Sequence, residues 1–155
     1  MKGLENQQYL IALIISNVAA IMLVAVAYKW PRVARFLFFL LFAWASWMNW
    51  TTAVQRPESY LEYGELAFSS MYRRIINGWF SSHITPVVGA IATCQALIAL
   101  CMWLNNKILM AGLAGGILFL LAILPLGIGA GFPSGAIMVI ALVLIWRRDD
   151  HRCLW

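Results

Sequence analysis

From Ile108 to Trp146 the chain carries no charged residue, and that one feature narrows its fold more than any other. A helix crossing the hydrocarbon of a bilayer needs about 20 apolar residues, so the stretch is too long for one crossing and leaves almost nothing for a turn between two. The segment PLGIGAGFPSG (125–135) punctuates it near the middle. Gly127, Gly129, Gly131, Pro133 and Gly135 mark the place of reversal or breakage. Two short spans, 108–125 and 130–147, are therefore expected. The alternative is a fourth span followed by a re-entrant or interfacial segment, whose irregular backbone must be satisfied by protein or water.

Three further apolar runs precede this one. Residues 9–29 form a run too long for a signal-peptide core and are read as a retained first span. Lys29, Trp30 and Pro31 close it with a charge, an interfacial ring and a residue that ordinary helix interiors reject. Residues 33–53 make a second span, with Trp44, Trp47 and Trp50 in its second half, and 83–104 a third, with Pro86 in its first turn. The expected fold is an all-alpha polytopic membrane protein, a single integral membrane domain over 1–155. It is a compact bundle of five (alternatively four) transmembrane helices.

Composition agrees: 63% of residues are hydrophobic and 11% charged, with a mean hydropathy of +0.82. A disordered tail, a separate soluble catalytic domain and a nucleic-acid module are thereby excluded. The net charge of +5 does not point to polyanions, because the basic residues gather at the ends of apolar runs, as in KWPRVAR (29–35) and RRDDHR (147–152). In the five-span arrangement Lys2, Arg56, Arg73 and Arg74 fall on the side of the N-terminus. Lys29, Arg32, Arg35, Lys107, Arg147, Arg148 and Arg152 fall on the opposite side. The bias predicts an extracytoplasmic N-terminus and a cytoplasmic C-terminus. Cys94, Cys101 and Cys153 form no CxxC and no disulfide framework, and Cys94 and Cys101 read as small buried apolar residues.

The connection between spans two and three, 55–82, carries most of the chemistry. Leu61, Phe68, Met71 and Ile75 recur at helical spacing, which predicts an interfacial amphipathic helix over 60–77, broken near Gly64. Glu58, Glu62 and Glu65 share a face if that helix begins early. Glu62 and Glu65 with His83 compose the one arrangement able to divide acid and base roles. No HxxH or HExxH is present, and neither a metal nor a cofactor is expected. Tyr60, Tyr63, Tyr72, Trp79 and Phe80 match an interfacial aromatic belt that can also wall a pocket, with Arg73 and Arg74 at headgroup level.

Inside the spans, Asn17, Asn49 and Gln95 lie about 12, 7 and 18 Å from the N-terminal side by helical rise. Buried amides need partners, so they are expected to descend as a polar line into a shared interior. In size and in its glycine-rich last hairpin the chain resembles several small bacterial membrane families, the DoxX-like proteins among them, without a motif that carries any site residue across.

The expected function is a small binding or accessory protein for a lipid-like or quinone-like molecule, held by Asn17, Asn49, Tyr60, Glu62, Tyr72, Arg73, Arg74 and Gln95. A cofactor-independent enzyme using Glu62, Glu65 and His83 is the alternative, and a small transporter or channel the third reading. Expected partners are membrane lipids, a quinone or other hydrophobic ligand, and a second copy or another protein of a membrane complex, but no nucleic acid. The expected location is the cell membrane, crossed several times, as in a bacterial inner-membrane protein.

Overall fold

The computed structural model describes residues 7–130 and 132–154, so Lys2 and Gly131 lie outside the described residues. The chain is an all-α bundle: α1 (Gln7–Lys29), α2 (Pro31–Gln55), α3 (Glu62–Leu66), α4 (Ser70–Asn77), α5 (Ile84–Trp103), α6 (Asn106–Ile123) and α7 (Ser134–Arg148). Trp30 alone separates α1 from α2. Its N–H still bonds Val26 O at 2.7 Å while Pro31 opens the next helix, where a missing N–H costs nothing. In the bundle α2 packs along α5, α5 along α6, α6 along α7 and α7 along α1. Among the described residues four segments are long and apolar enough to cross a membrane: Leu10–Lys29, Pro31–Gln55, Ile84–Trp103 and Asn106–Gly127.

The last helix is shorter than the span expected over 130–147. Residues Leu124–Ala130 are a 3₁₀ segment, and α7 begins only at Ser134. Gly127 sits at φ 78°, and a Cβ there would stand 2.6 Å from Leu66 O, so the chain bends where only glycine fits. With 15 residues, α7 is about 22 Å long, short of the roughly 30 Å of a hydrocarbon core.

Small residues share the buried seams of the bundle with Phe38, Met102, Leu109, Leu113, Leu142 and Ile145, while many other large apolar residues face outward. Ala20, Ala27, Ala34, Ala92, Ala99 and Ala141 are fully or almost fully buried, whereas Ile15, Met22, Leu97, Leu100 and Leu118 are all more than half exposed. Soluble chains bury their large side chains, and an apolar surface of this extent does not stay monomeric in water. Small residues at helix contacts together with so many bulky apolar ones on the outer surface fit helices that associate in lipid. The molecule is a largely hydrophobic bundle consistent with a membrane-associated protein. The glycine-rich face of α6 serves this packing: Gly112 abuts Cys101 of α5, and Gly116 abuts Leu142 of α7 and Phe42 of α2.

One end of the bundle is closed by charge. Arg35, counted above as a juxtamembrane cation, is fully buried. Its guanidinium donates to Asp149 Oδ1 at 2.8 Å, to Met102 O at 3.2 and 2.9 Å, to Leu104 O at 2.7 Å and to Arg152 O at 2.9 Å. The start of α2, the end of α5 and the tail after α7 are thus tied at one point. The tail folds back over it, with Leu154 buried and its N–H on Trp103 O. Outside this knot, Arg32 pairs with Asp150 at 2.6 Å, and that hydrogen bond holds the exposed Asp150 carboxyl below its usual range. Among the described residues Lys29, Arg32, Arg35, Lys107, Arg147, Arg148 and Arg152 all belong to this end, with Arg148 over the Tyr28 ring at 4.3 Å. Arg56, Arg73 and Arg74 belong to the other.

The connection over 57–82 differs from a single helix broken near Gly64. A 3₁₀ turn, Pro57–Leu61, runs into α3, the chain extends through Ala67–Ser69, and α4 follows. Gly64 sits inside α3, where a Cβ would strike the Asn77 side chain at 2.8 Å. The break falls later because Phe68 N–H bonds Pro125 O at 3.0 Å and its ring meets Phe132 edge-on at 5.3 Å. A tertiary anchor there outweighs the helical periodicity of the segment. Arg73 bridges the two short helices by donating to Gly64 O and Ala67 O.

Candidate functional site

The α2–α5 seam carries a ladder of polar contacts in an otherwise apolar interface. Ser46 donates to Ala92 O at 2.7 Å, Asn49 Nδ2 to Gln95 Oε1 at 2.7 Å and Thr85 to Ala53 O at 3.0 Å. Asn49 and Gln95 meet although their backbones lie at different depths. Cβ atoms tilt toward a helix N-terminus, and α2 and α5 run in opposite directions, so the two side chains converge. Gln95 is buried. Asn49 lies between it and the surface, and there the Tyr60 hydroxyl donates to Asn49 Oδ1 at 2.9 Å. A relay of Gln95, Asn49 and Tyr60 thus runs from the buried seam to the cap.

This relay opens into a groove of about 540 Å³ beside α2. Trp44, Ala45, Met48, Asn49 and Thr52 form its α2 wall, spaced so that all share one helical face. The cap contributes Ser59, Tyr60, Glu62, Tyr63 and Leu66, with Ala130 beyond. Tyr60 and Tyr63 stack with centroids 5.9 Å apart. Burial pushes the Tyr60 phenol above its ordinary pKa, with the neighbouring Tyr63 adding to the rise, so the group stays protonated as a hydrogen-bond donor.

The other sequence-selected residues, Glu62 apart, lie elsewhere. Asn17 donates to Leu13 O of its own helix at 2.7 Å, and Tyr72 reaches Ala122 O at 2.9 Å. Arg73 holds the cap together as described, Arg74 and Glu65 are exposed, and Glu62 is exposed at the groove. His83 lines a different hollow of about 520 Å³ with Trp79, Pro86, Val87, Ala90, Ile91, Cys94 and Phe119. Its ring stacks on Trp79 at 4.7 Å, and Nδ1 lies 2.9 Å from Trp79 O. Because a carbonyl only accepts, Nδ1 carries the hydrogen. Among the described residues no three His, Cys, Asp or Glu side chains gather as a metal site.

Sequence reasoning picked out Asn49, Tyr60, Glu62 and Gln95 but missed Trp44, Ala45, Met48 and Thr52 as groove residues. Their spacing about Asn49, on one face of α2, was the available signal. No family model, no curated protein and no solved structure matches this chain.

Proposed function

We propose that the chain is an integral membrane protein that crosses the bilayer five times and binds a lipid-like or quinone-like molecule in the groove beside α2, as a binding or accessory protein. The groove carries this reading: it joins a polar end, the Gln95–Asn49–Tyr60 relay, to an apolar wall of Trp44, Ala45, Met48 and Leu66. Such a slot suits an amphiphile whose tail lies along α2. Acid–base chemistry by Glu62, Glu65 and His83 would need all three around one substrate, and Glu62 and His83 line separate hollows. Ala45→Trp fills the groove from a helical position and leaves the relay residues themselves unchanged. Purified with its native lipid, this variant should retain the copurifying molecule at least about 10-fold less than wild type by mass spectrometry, while His83→Ala retains it. Equal retention by Ala45→Trp would overturn the assignment.

The outward belts of large apolar side chains support insertion, and the gathering of seven basic residues at one end supports a cytoplasmic C-terminus. α7 then crosses with the Leu124–Ala130 segment and local thinning of the bilayer covering the difference in length. Reporters fused to the two termini should read opposite sides of the membrane. Same-side readings would replace the fifth crossing with a re-entrant α7.

A further inference from the structure

We propose that the ends of α1 and α7 form a binding site for one phospholipid with an anionic head, in the leaflet at the basic end of the bundle. The proposal rests on the insertion reading above and not on the groove beside α2. Of the basic residues gathered at this end, Arg35 holds Asp149, while Arg32 and Arg152 flank Asp150 at 2.6 and 3.7 Å. Lys29, Lys107, Arg147 and Arg148 are exposed and form no ion pair among the described residues. Orientation in the membrane asks only that cations lie at this end. It does not ask that Lys29, Arg147 and Arg148 stand unpaired in the last turns of two packed helices.

The two helices end together, with the Arg148 guanidinium over the Tyr28 ring at 4.3 Å. Stacking on the ring takes the face of the guanidinium and leaves its N–H edge, the part that matches a phosphate in two parallel hydrogen bonds. Lys29 follows Tyr28 and Arg147 precedes Arg148, which brings two more charges to the same corner. Toward the middle of the membrane, Ala25 and Ile21 lie one and two turns before Tyr28 on its face of α1. Val143 and Ile140 stand likewise before Arg147 on α7, and all four residues are exposed. An acyl chain lying on them leaves its phosphate among the cations. A zwitterionic head would carry an ammonium into the same cluster and be repelled, whereas a glycerol head brings no charge beyond the phosphate.

The full chain, purified in an uncharged maltoside detergent, tests this with three probes read by native mass spectrometry. These are dioleoyl phosphatidylglycerol, dioleoyl phosphatidylcholine with the same tails, and tailless glycerophosphoglycerol. The anionic lipid should be retained at least about 10-fold more than the zwitterionic one, and the tailless probe far less than either. Lys29→Gln, Arg147→Gln and Arg148→Gln, all at exposed positions, should each cut that preference about 3-fold, below the usual contribution of a basic residue at a membrane surface because the three share one phosphate. Lys107→Gln removes a cation of the same end from α6 and should leave the preference as it was, as should Ala45→Trp in the groove. A loss with Lys107→Gln equal to that with Arg148→Gln would overturn the site in favour of a diffuse positive field. A loss with Ala45→Trp would overturn it by placing the lipid in the groove. Equal retention of the two lipids would overturn the charge selection with the insertion reading still standing. Neither lipid exceeding the tailless probe would take away the lipid-facing surface, and both readings with it.

Discussion

Arg35→Leu should be the most damaging single substitution in the chain, lowering its stability by about 3–5 kcal/mol, the usual consequence of breaking one partner out of a buried ion pair. The change strands the Asp149 carboxylate, whose Oδ2 is already buried without a partner among the described residues. It also strips donors from Met102 O, Leu104 O and Arg152 O, and a buried polar group without its partner costs about 1–3 kcal/mol. Thermal unfolding in detergent should show the midpoint falling by on the order of 10 °C. Arg35→Lys should recover little, because an ammonium cannot reproduce a planar fork serving acceptors in several directions. The double variant Arg35→Leu, Asp149→Leu should be milder than Arg35→Leu alone, since no charge is then left buried. An Arg35→Leu protein melting within about 2 °C of wild type would mean that the three chain segments are not tied at this point.

That knot shows where reading the sequence succeeds and where it stops. Helix existence was legible, because uninterrupted apolar runs of about 20 residues have few alternatives and Pro31, Pro86 and the 125–135 segment punctuate them. The α2–α5 amide contact was legible in part: Asn49 and Gln95 stand out as polar residues in apolar runs, and a buried amide must find a partner. Which amides pair was not, since Asn17 satisfies its donor on its own helix while Asn49 reaches across. The burial of Arg35 was not legible, because in the sequence it reads as one more juxtamembrane charge of the 29–35 cluster. Its partner is Asp149, 114 positions later, and no local pattern carries that distance. The cap defeated periodicity for the same reason, its break being set by Pro125 and Phe132, far along the chain from Phe68.

A single methyl group added at two neighbouring positions of α6 should have effects of opposite sign. At Gly112 a Cβ would overlap the Cβ of Cys101, and the next nearest atoms are Cys101 C and Cα at 3.5 Å. Nothing flexible lies there to yield, so α5 and α6 must move apart. Because the hairpin at Leu104 and Asn105 holds them together nearby, that separation spreads strain into both helices. Overpacking of this kind costs about 1–3 kcal/mol, more than the roughly 1 kcal/mol that Ala gains over Gly in a helix. Gly112→Ala should therefore lower the melting midpoint. At Gly115 the Cβ would meet Ile98 Cγ1 at 3.4 Å and Cδ1 at 3.7 Å, the movable end of a side chain, so the helical gain prevails and Gly115→Ala should melt at or above wild type. Adding Cys101→Gly to Gly112→Ala removes the atom in the way and should recover part of the loss, less the helical cost of a glycine in α5. Equal shifts from Gly112→Ala and Gly115→Ala, or no recovery in the double variant, would mean that α5 and α6 do not meet along the Cys101–Gly112 contact.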